Sequence, residues 1–359
     1  MTLNGSIKFS AAVGLLAAAV PFVWPFLHAN PTNRFTSMLL LVGLMARCHG
    51  VGRKGRGGFG AFQLGYALGL SGLLVLLVVK WPEISVQRAL LQGDVPAIVQ
   101  AMDTYAWHSG FTQHACAALV HLASLSLDGK DQVSSNGGIT RLLNAMAQHR
   151  GSAEIQATAC SALAVLATED YTNKARIIEG KGIIRIIEAM KDNDEDVSVQ
   201  QSGCAVLRNL AIGDDDNRSD IVKAGGIKSI MQAMRLHRLH GGVQTQVCAA
   251  LRSLAANDGL KIQIADAGAI PLIVEAMDLH IDFVPLVEQA CWALRNLAGI
   301  DVNRAKIADA GGVERIANVV MHVHGANPDI VEQAAGAMRN LALNSDDNKH
   351  RIAAAGRVT

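Results

Sequence analysis

The chain has 359 residues and a net charge of +1, with half of its residues hydrophobic and only 4% aromatic. Scarce aromatics beside abundant Ala and Leu suit helices packed through small side chains and exclude a β-sandwich rich in Tyr and Trp. The near-neutral balance gives no reason to expect a nucleic-acid partner.

The first ninety residues differ in composition from the rest. Residues 9–27, 35–46 and 59–79 carry no charge. The third segment is long enough to span a bilayer and ends on Lys80, Trp81 and Pro82, which suits an interface. Residues 9–27 read as a second span or a signal peptide, and 35–46 is short for a span. We therefore expect 1–92 to be a membrane-anchoring region. Sidedness is in conflict. Arg47, Arg53, Lys54 and Arg56 in the loop before the third segment place that loop in the cytosol, and the rest of the chain, one span later, beyond the membrane. Free cysteines further on favour a reducing, cytosolic setting. Asn217-Arg-Ser219 offers a glycosylation test of the side. Gly55-Arg-Gly57-Gly-Phe-Gly60 matches a dinucleotide fingerprint, but no strand precedes it and no βαβ unit surrounds it.

From residue 93 onward the chain repeats itself. Cys116, Cys160, Cys204, Cys248 and Cys291 lie 44, 44, 44 and 43 residues apart. Clustered thiols would suggest disulfides or zinc; evenly spread ones suggest a structural period. Each Cys opens a run such as Cys204-Ala-Val-Leu-Arg-Asn-Leu-Ala, and Ala335-Gly-Ala-Met-Arg-Asn-Leu-Ala is a sixth copy. Cys, Leu, Leu and Ala then share one helical face. A second column is the Ala-Met pair ending at Met102, Met146, Met190, Met234 and Met277. A third is an Ile-rich stretch followed by glycines at 137/138, 180/182, 225/226, 268 and 311/312, where one helix ends and the chain turns into the next. Each unit thus contains a short helix, a Gly turn, a second helix, a polar loop and a longer third helix. The divisions fall near 93–137, 138–181, 182–225, 226–268, 269–311 and 312–356, within a domain 93–359 that ends where a seventh unit would begin.

This three-helix unit, its length and its Leu-Arg-Asn-Leu-Ala run resemble the armadillo family, which includes β-catenin and importin-alpha. The resemblance implies an all-α, right-handed solenoid of about six repeats. It also implies that the Asn residues five positions after each Cys line a concave groove and bond the backbone of an extended partner. That role carries to Asn209, Asn296 and Asn340, and weakly to Ser253 and His121; Val165 breaks the column. Trp292, one turn before Asn296, resembles an importin-alpha groove tryptophan but occurs once, which argues against nuclear import. Arg208, Arg252, Arg295 and Arg339 draw a basic stripe beside the Asn column. It favours acidic segments, unless the arginines are consumed by Asp214, Asp215 or Asp301.

Other features carry no chemistry. Asp192-Asn-Asp194-Glu-Asp196 opens like a calcium loop, but Val197 and Gly203 stand where Gly and Glu are needed. His149, His237 and His280 share one repeat position, where a helix C-terminus accounts for them better than a metal does. We expect no enzyme, cofactor, metal or small-molecule substrate. The expected role is a membrane-anchored scaffold, its repeats facing the cytosol, that captures extended segments of other proteins, acidic ones among them. The alternative is a docking subunit of a channel or transporter assembly.

Overall fold

Every third helix but one starts at a polar side chain that can close its first turn. His108, Ser152, Asp196, His240 and Asn327 each accept the backbone N–H three residues on. Ser126, Asp170, Asp214 and Asn257 do the same for first helices. These caps satisfy donors that a helix start leaves orphaned. Asp196 is therefore a helix cap, not part of a calcium loop.

The computed structural model describes residues 88, 89, 92–319 and 323–355. Apart from Arg88 and residues 103–105 they belong to one compact unit, Ala89–Met102 with Ala106–Thr359. Helices Val95–Thr104 (α1) and Ser109–Leu125 (α2) open it, and five triplets follow. They are Leu127–Ser135, Gly138–Gln148 and Ala153–Ala167 (α3 to α5), then Tyr171–Glu179, Gly182–Asp192 and Val197–Ala211 (α6 to α8). Next come Asp215–Lys223, Gly226–Leu236 and Gly241–Leu254 (α9 to α11), and Asp258–Asp266, Ala269–Leu279 and Val284–Leu297 (α12 to α14). The last triplet is Asp301–Asp309, Gly312–Asn318 and Pro328–Ala342 (α15 to α17), before Asp346–Ala355 (α18). The described residues form helices and turns with no strand. The triplets start one helix earlier than divisions at 137/138, 181/182 and 225/226, which lie between a first and a second helix.

The third helices α2, α5, α8, α11, α14 and α17 pack each on the next, and the first and second helices lie against them. Cys116, Cys160, Cys204, Cys248 and Cys291 are fully buried in this ladder, beside Leu119, Leu163, Leu207, Leu251 and Leu294. All five thiols are free. Burial pushes Cys116, Cys160, Cys248 and Cys291 from an ordinary 9.0 up to about 12, and Cys204 higher still. Almost no thiolate exists at neutral pH, so the column is inert packing.

Polar side chains stitch the layers. His149, His237, His280 and His324 each donate from Nε2 to a carbonyl of the preceding repeat: Ala106, Asp194, Arg238 and Ile281, at 2.8, 2.7, 2.8 and 2.6 Å. The first three are C-caps of second helices, as the sequence suggests. Asn193 replaces the histidine in the remaining layer, donating to the Arg150 carbonyl at 3.3 Å. Within layers, Gln156, Gln200 and Gln244 each give Nε2 to two carbonyls at the end of the second helix.

Among the described residues, no helix is long and apolar enough to cross a membrane. Segments 9–27, 35–46 and 59–79, the basic loop and the Gly55–Gly60 run lie outside them.

Two predictions follow from the turn and the core. The residue before each second helix is left-handed: Gly at 137, 225, 268 and 311, but Lys181 at φ 62° in the third layer. A left-handed non-Gly residue costs about 1–2 kcal/mol, so Lys181→Gly should raise stability by about 1 kcal/mol. A Cβ on the next residue, Gly182, would collide with Ile177 Cγ2 and sit 2.6 Å from the Ile177 carbonyl oxygen. Gly182→Ala should therefore destabilise, and paired denaturant melts check both signs. The thiols set a pH limit. The folded chain keeps protons that the unfolded chain releases above pH 9, so their contribution is complete below pH 9 and declines as pH rises toward 12. Each thiol adds a slope of about 1.4 kcal/mol per pH unit there. Melts of the parent and Cys160→Ala between pH 8.5 and 10.5 should show the shallower decline in the variant.

Candidate partner-binding face

The residues singled out by sequence share one side of the third-helix ladder, from the buried Asn209 through the half-buried Arg252 and Asn296 to the exposed Arg339. One position after each Cys come Ala117, Ser161, Ala205, Ala249 and Trp292, and Gly336 follows Ala335 in the sixth copy. Four and five positions after it come the Arg and Asn columns. The helical period brings these three positions to one stripe.

The Asn side chains are tied into the ladder. Asn209 is buried and gives Nδ2 to the Ala164 carbonyl at 2.8 Å and to Thr168 Oγ1 at 3.0 Å. Asn296 Nδ2 donates to the Arg252 carbonyl at 3.1 Å, and Asn340 Nδ2 to the Arg295 carbonyl at 2.9 Å. Each bond crosses to the preceding repeat, not the following one. Asn296 and Asn340 keep a second amide hydrogen and Oδ1 without a partner among the described residues. Ser253 reaches only the Ala249 carbonyl of its own helix, at 3.0 Å, and Val165 offers nothing.

The arginines run the other way, toward the following repeat. Arg208 Nη1 donates to Gln246 Oε1 at 2.9 Å, and its Nε to Asn209 Oδ1 at 3.0 Å. Arg295 Nη1 donates to Gln333 Oε1 at 2.9 Å and has Glu332 at 3.7 Å. Arg252 lies over the Trp292 ring, 4.1 Å from its centroid, within cation–π range. Arg339 is exposed, with no partner among the described residues. The aspartates that threatened to consume the stripe are engaged elsewhere. Asp215 pairs with Arg218 at 2.6 Å, Asp301 pairs with Arg304, and Asp214 caps α9. The arginines thus keep their charge on the face. Burial lowers the pKa of Arg208 and Arg252 without discharging them.

The acceptors Gln246 and Gln333, with Gln289 between them, escaped the reading of the sequence. Their spacings of 43 and 44 residues match the other columns. Asn217, whose sequon was to report sidedness, is half-buried and gives Nδ2 to the Leu210 carbonyl at 3.2 Å.

The Asn ties predict opposite outcomes at two positions. Asn209→Ala removes the two cross-layer hydrogen bonds of a buried amide and should cost about 1–3 kcal/mol. Ser253→Asn supplies the missing tie, to the Arg208 carbonyl, and should add about 0.5–1.5 kcal/mol. Chemical denaturation measures both, and a destabilised Ser253→Asn would contradict the account.

No curated protein matches the chain. Among solved structures, an engineered protein of the Northeast Structural Genomics Consortium superposes with a TM-score of 0.62 at 24% identity, over 69% of this chain and 98% of that one. A designed armadillo repeat protein in complex with the peptide (KR)4 gives 0.59 at 19% identity, over 69% and 99%. Computationally designed armadillo repeat proteins for modular peptide recognition give 0.58 at 20%, over 69% and 99%. At these identities the likeness concerns the fold. The family described as LRRK2 ARM repeat matches residues 95–274, half of the chain, and the one described as Armadillo/beta-catenin-like repeat matches 257–299. With helical triplets stacked through their third helices over the same residues, the chain belongs to the armadillo-repeat family.

Proposed function

We propose that this protein is a binding scaffold that holds extended segments of other proteins along its third-helix face, and that the segments it prefers are acidic. The observation that carries this reading is the arginine column at Arg208, Arg252, Arg295 and Arg339, with Asp215 and Asp301 paired to other arginines, Asp214 committed to a helix cap, and Glu332 approaching the column at Arg295. Helix layers about 8–10 Å apart match about three residues of extended chain at ~3.3 Å each. A segment laid along the last four layers thus meets one arginine in each. The free valences of Asn296 and Asn340 supply backbone contacts beside them. Of the similar designed proteins, one is seen in complex with the peptide (KR)4 and others were designed for modular peptide recognition. That use of the fold supports peptide capture, while the arginines here favour the opposite charge of ligand.

The same reading makes residues 1–92 a membrane tether and 93–359 the binding domain, facing the cytosol. The uncharged segments and the buried, reduced thiols support it. A catalytic role has no support in the arrangement of the described residues.

Arg339→Glu tests the face without disturbing the fold, because Arg339 is exposed. An acidic dodecapeptide should bind about fivefold more weakly to the variant, at an unchanged melting temperature, as read by fluorescence anisotropy. Equal affinity for parent and variant would sink the assignment. For the tether, alkaline carbonate should leave the full chain in the membrane pellet; release into the supernatant would refute it.

A further inference from the structure

The arginines that cross to the next repeat do not all end in the same place. Arg208 reaches Gln246 and Arg295 reaches Gln333, each pair at 2.9 Å. The corresponding pair between them is Arg252 and Gln289, and it is broken. Arg252 stacks on Trp292 instead. Gln289 Oε1 is buried without a hydrogen-bond partner, while its Nε2 donates to Glu288 Oε1 at 3.2 Å.

The residue one position after Cys explains the difference. Arg295 passes over Gly336, where a Cβ would fall 2.6 Å from Arg295 Nε. In the Arg208 layer the same place is the small Ala249. A small residue lets the arginine lie along the next helix and reach its glutamine. Trp292 stands in that path and offers a ring. The cation–π contact replaces the hydrogen bond and leaves Gln289 Oε1 orphaned, and a buried orphan of this kind calls for a reason.

The stack also changes what Arg252 can offer. Its guanidinium is held over the ring and half-buried, with its N–H donors free of acceptors among the described residues. Burial, and then the nearby Arg208, lower its pKa, while Glu288 pulls it the other way. A guanidinium held in place by a ring, with no acceptor of its own, is suited to bidentate carboxylate binding.

We propose that Arg252 is the anchor for an Asp or Glu side chain of the extended partner, and that Trp292 is the positioning residue that keeps it off Gln289. The inference rests on the partner-capture reading above and assigns the site within that face. The Trp292 layer then engages a ligand more readily than the layers on either side, because Arg208 and Arg295 must each give up an internal glutamine to do so fully.

The test titrates the full chain with fluorescein-labelled dodecapeptides of alternating Ser and Glu, with Gln or Lys in place of Glu as controls. Arg252→Gln and Trp292→Ala should each weaken the Glu peptide about tenfold, leaving the Gln peptide unchanged. Trp292→Phe keeps a ring and should lose clearly less affinity than Trp292→Ala does. In Trp292→Ala the arginine drops onto Gln289, so adding Gln289→Met should recover most of the lost affinity. A merely structural role for Trp292 would give no such recovery. Circular dichroism should match throughout. If Trp292→Ala loses helicity, Arg252→Gln and Trp292→Phe still decide: undiminished Glu-peptide binding by Arg252→Gln overturns the anchor. Failure of Gln289→Met to rescue a folded Trp292→Ala overturns the positioning role. In either case the face itself survives so long as Arg339→Glu still binds more weakly. A parent that does not prefer the Glu peptide to the Gln peptide overturns both readings.

Discussion

Each third helix in this array depends on its neighbours, because a layer of three helices cannot enclose its own apolar surface. The Cys and Leu columns are buried only because the next layer covers them. The cysteines suit that position by being small and apolar when protonated. Burial maintains that state by holding the thiol pKa values far above neutrality. The packing that makes the ladder therefore also makes its thiols chemically silent.

Close stacking exposes a second constraint. Every helix end and inter-helix loop carries carbonyl groups that must find donors. Side chains from the adjoining layer supply many of them: histidines at the ends of second helices, and asparagines near the ends of third helices. Glutamines do the same within a layer. Polar columns are thus as periodic as apolar ones, and for the same reason: a fixed layer geometry presents the same unmet group each time.

The period made the fold legible. Cys, Leu, Met and Gly columns mark which residues face inward and where the chain turns, and the helices follow them closely. Lys181 shows the limit, since a left-handed turn can be filled by a residue whose type does not announce it. The site was legible by position but not by pairing. Sequence placed Arg208, Asn209, Trp292, Asn296 and Asn340 on one stripe; it could not say that the Asn amides point back one layer while the arginines point forward. Nor could it show that Asp215 and Asp301 would be drawn to Arg218 and Arg304 on their own helices, three residues away. Those outcomes depend on side-chain reach between layers, which spacing alone leaves open. The Gln246, Gln289 and Gln333 column was present in the period and passed over because a glutamine on a helix needs no explanation until its partner is seen.

Stitching and binding draw on the same polar atoms, so binding capacity is what stitching leaves over. At Asn209 both amide hydrogens and the oxygen are already engaged, and Arg208 is tied to Asn209 and Gln246. That layer is rigid and has little to give. At Asn296 and Asn340 one bond to the previous layer suffices, and at Arg252 a tryptophan releases the arginine from its glutamine. Moving along the chain, the balance shifts from cohesion toward free valence. A single substitution at the position after Cys, small residue to Trp, is enough to shift it in one layer. An array of near-identical repeats can in this way carry an uneven surface, specific in register and sign of charge, without any change in the stacking that builds it.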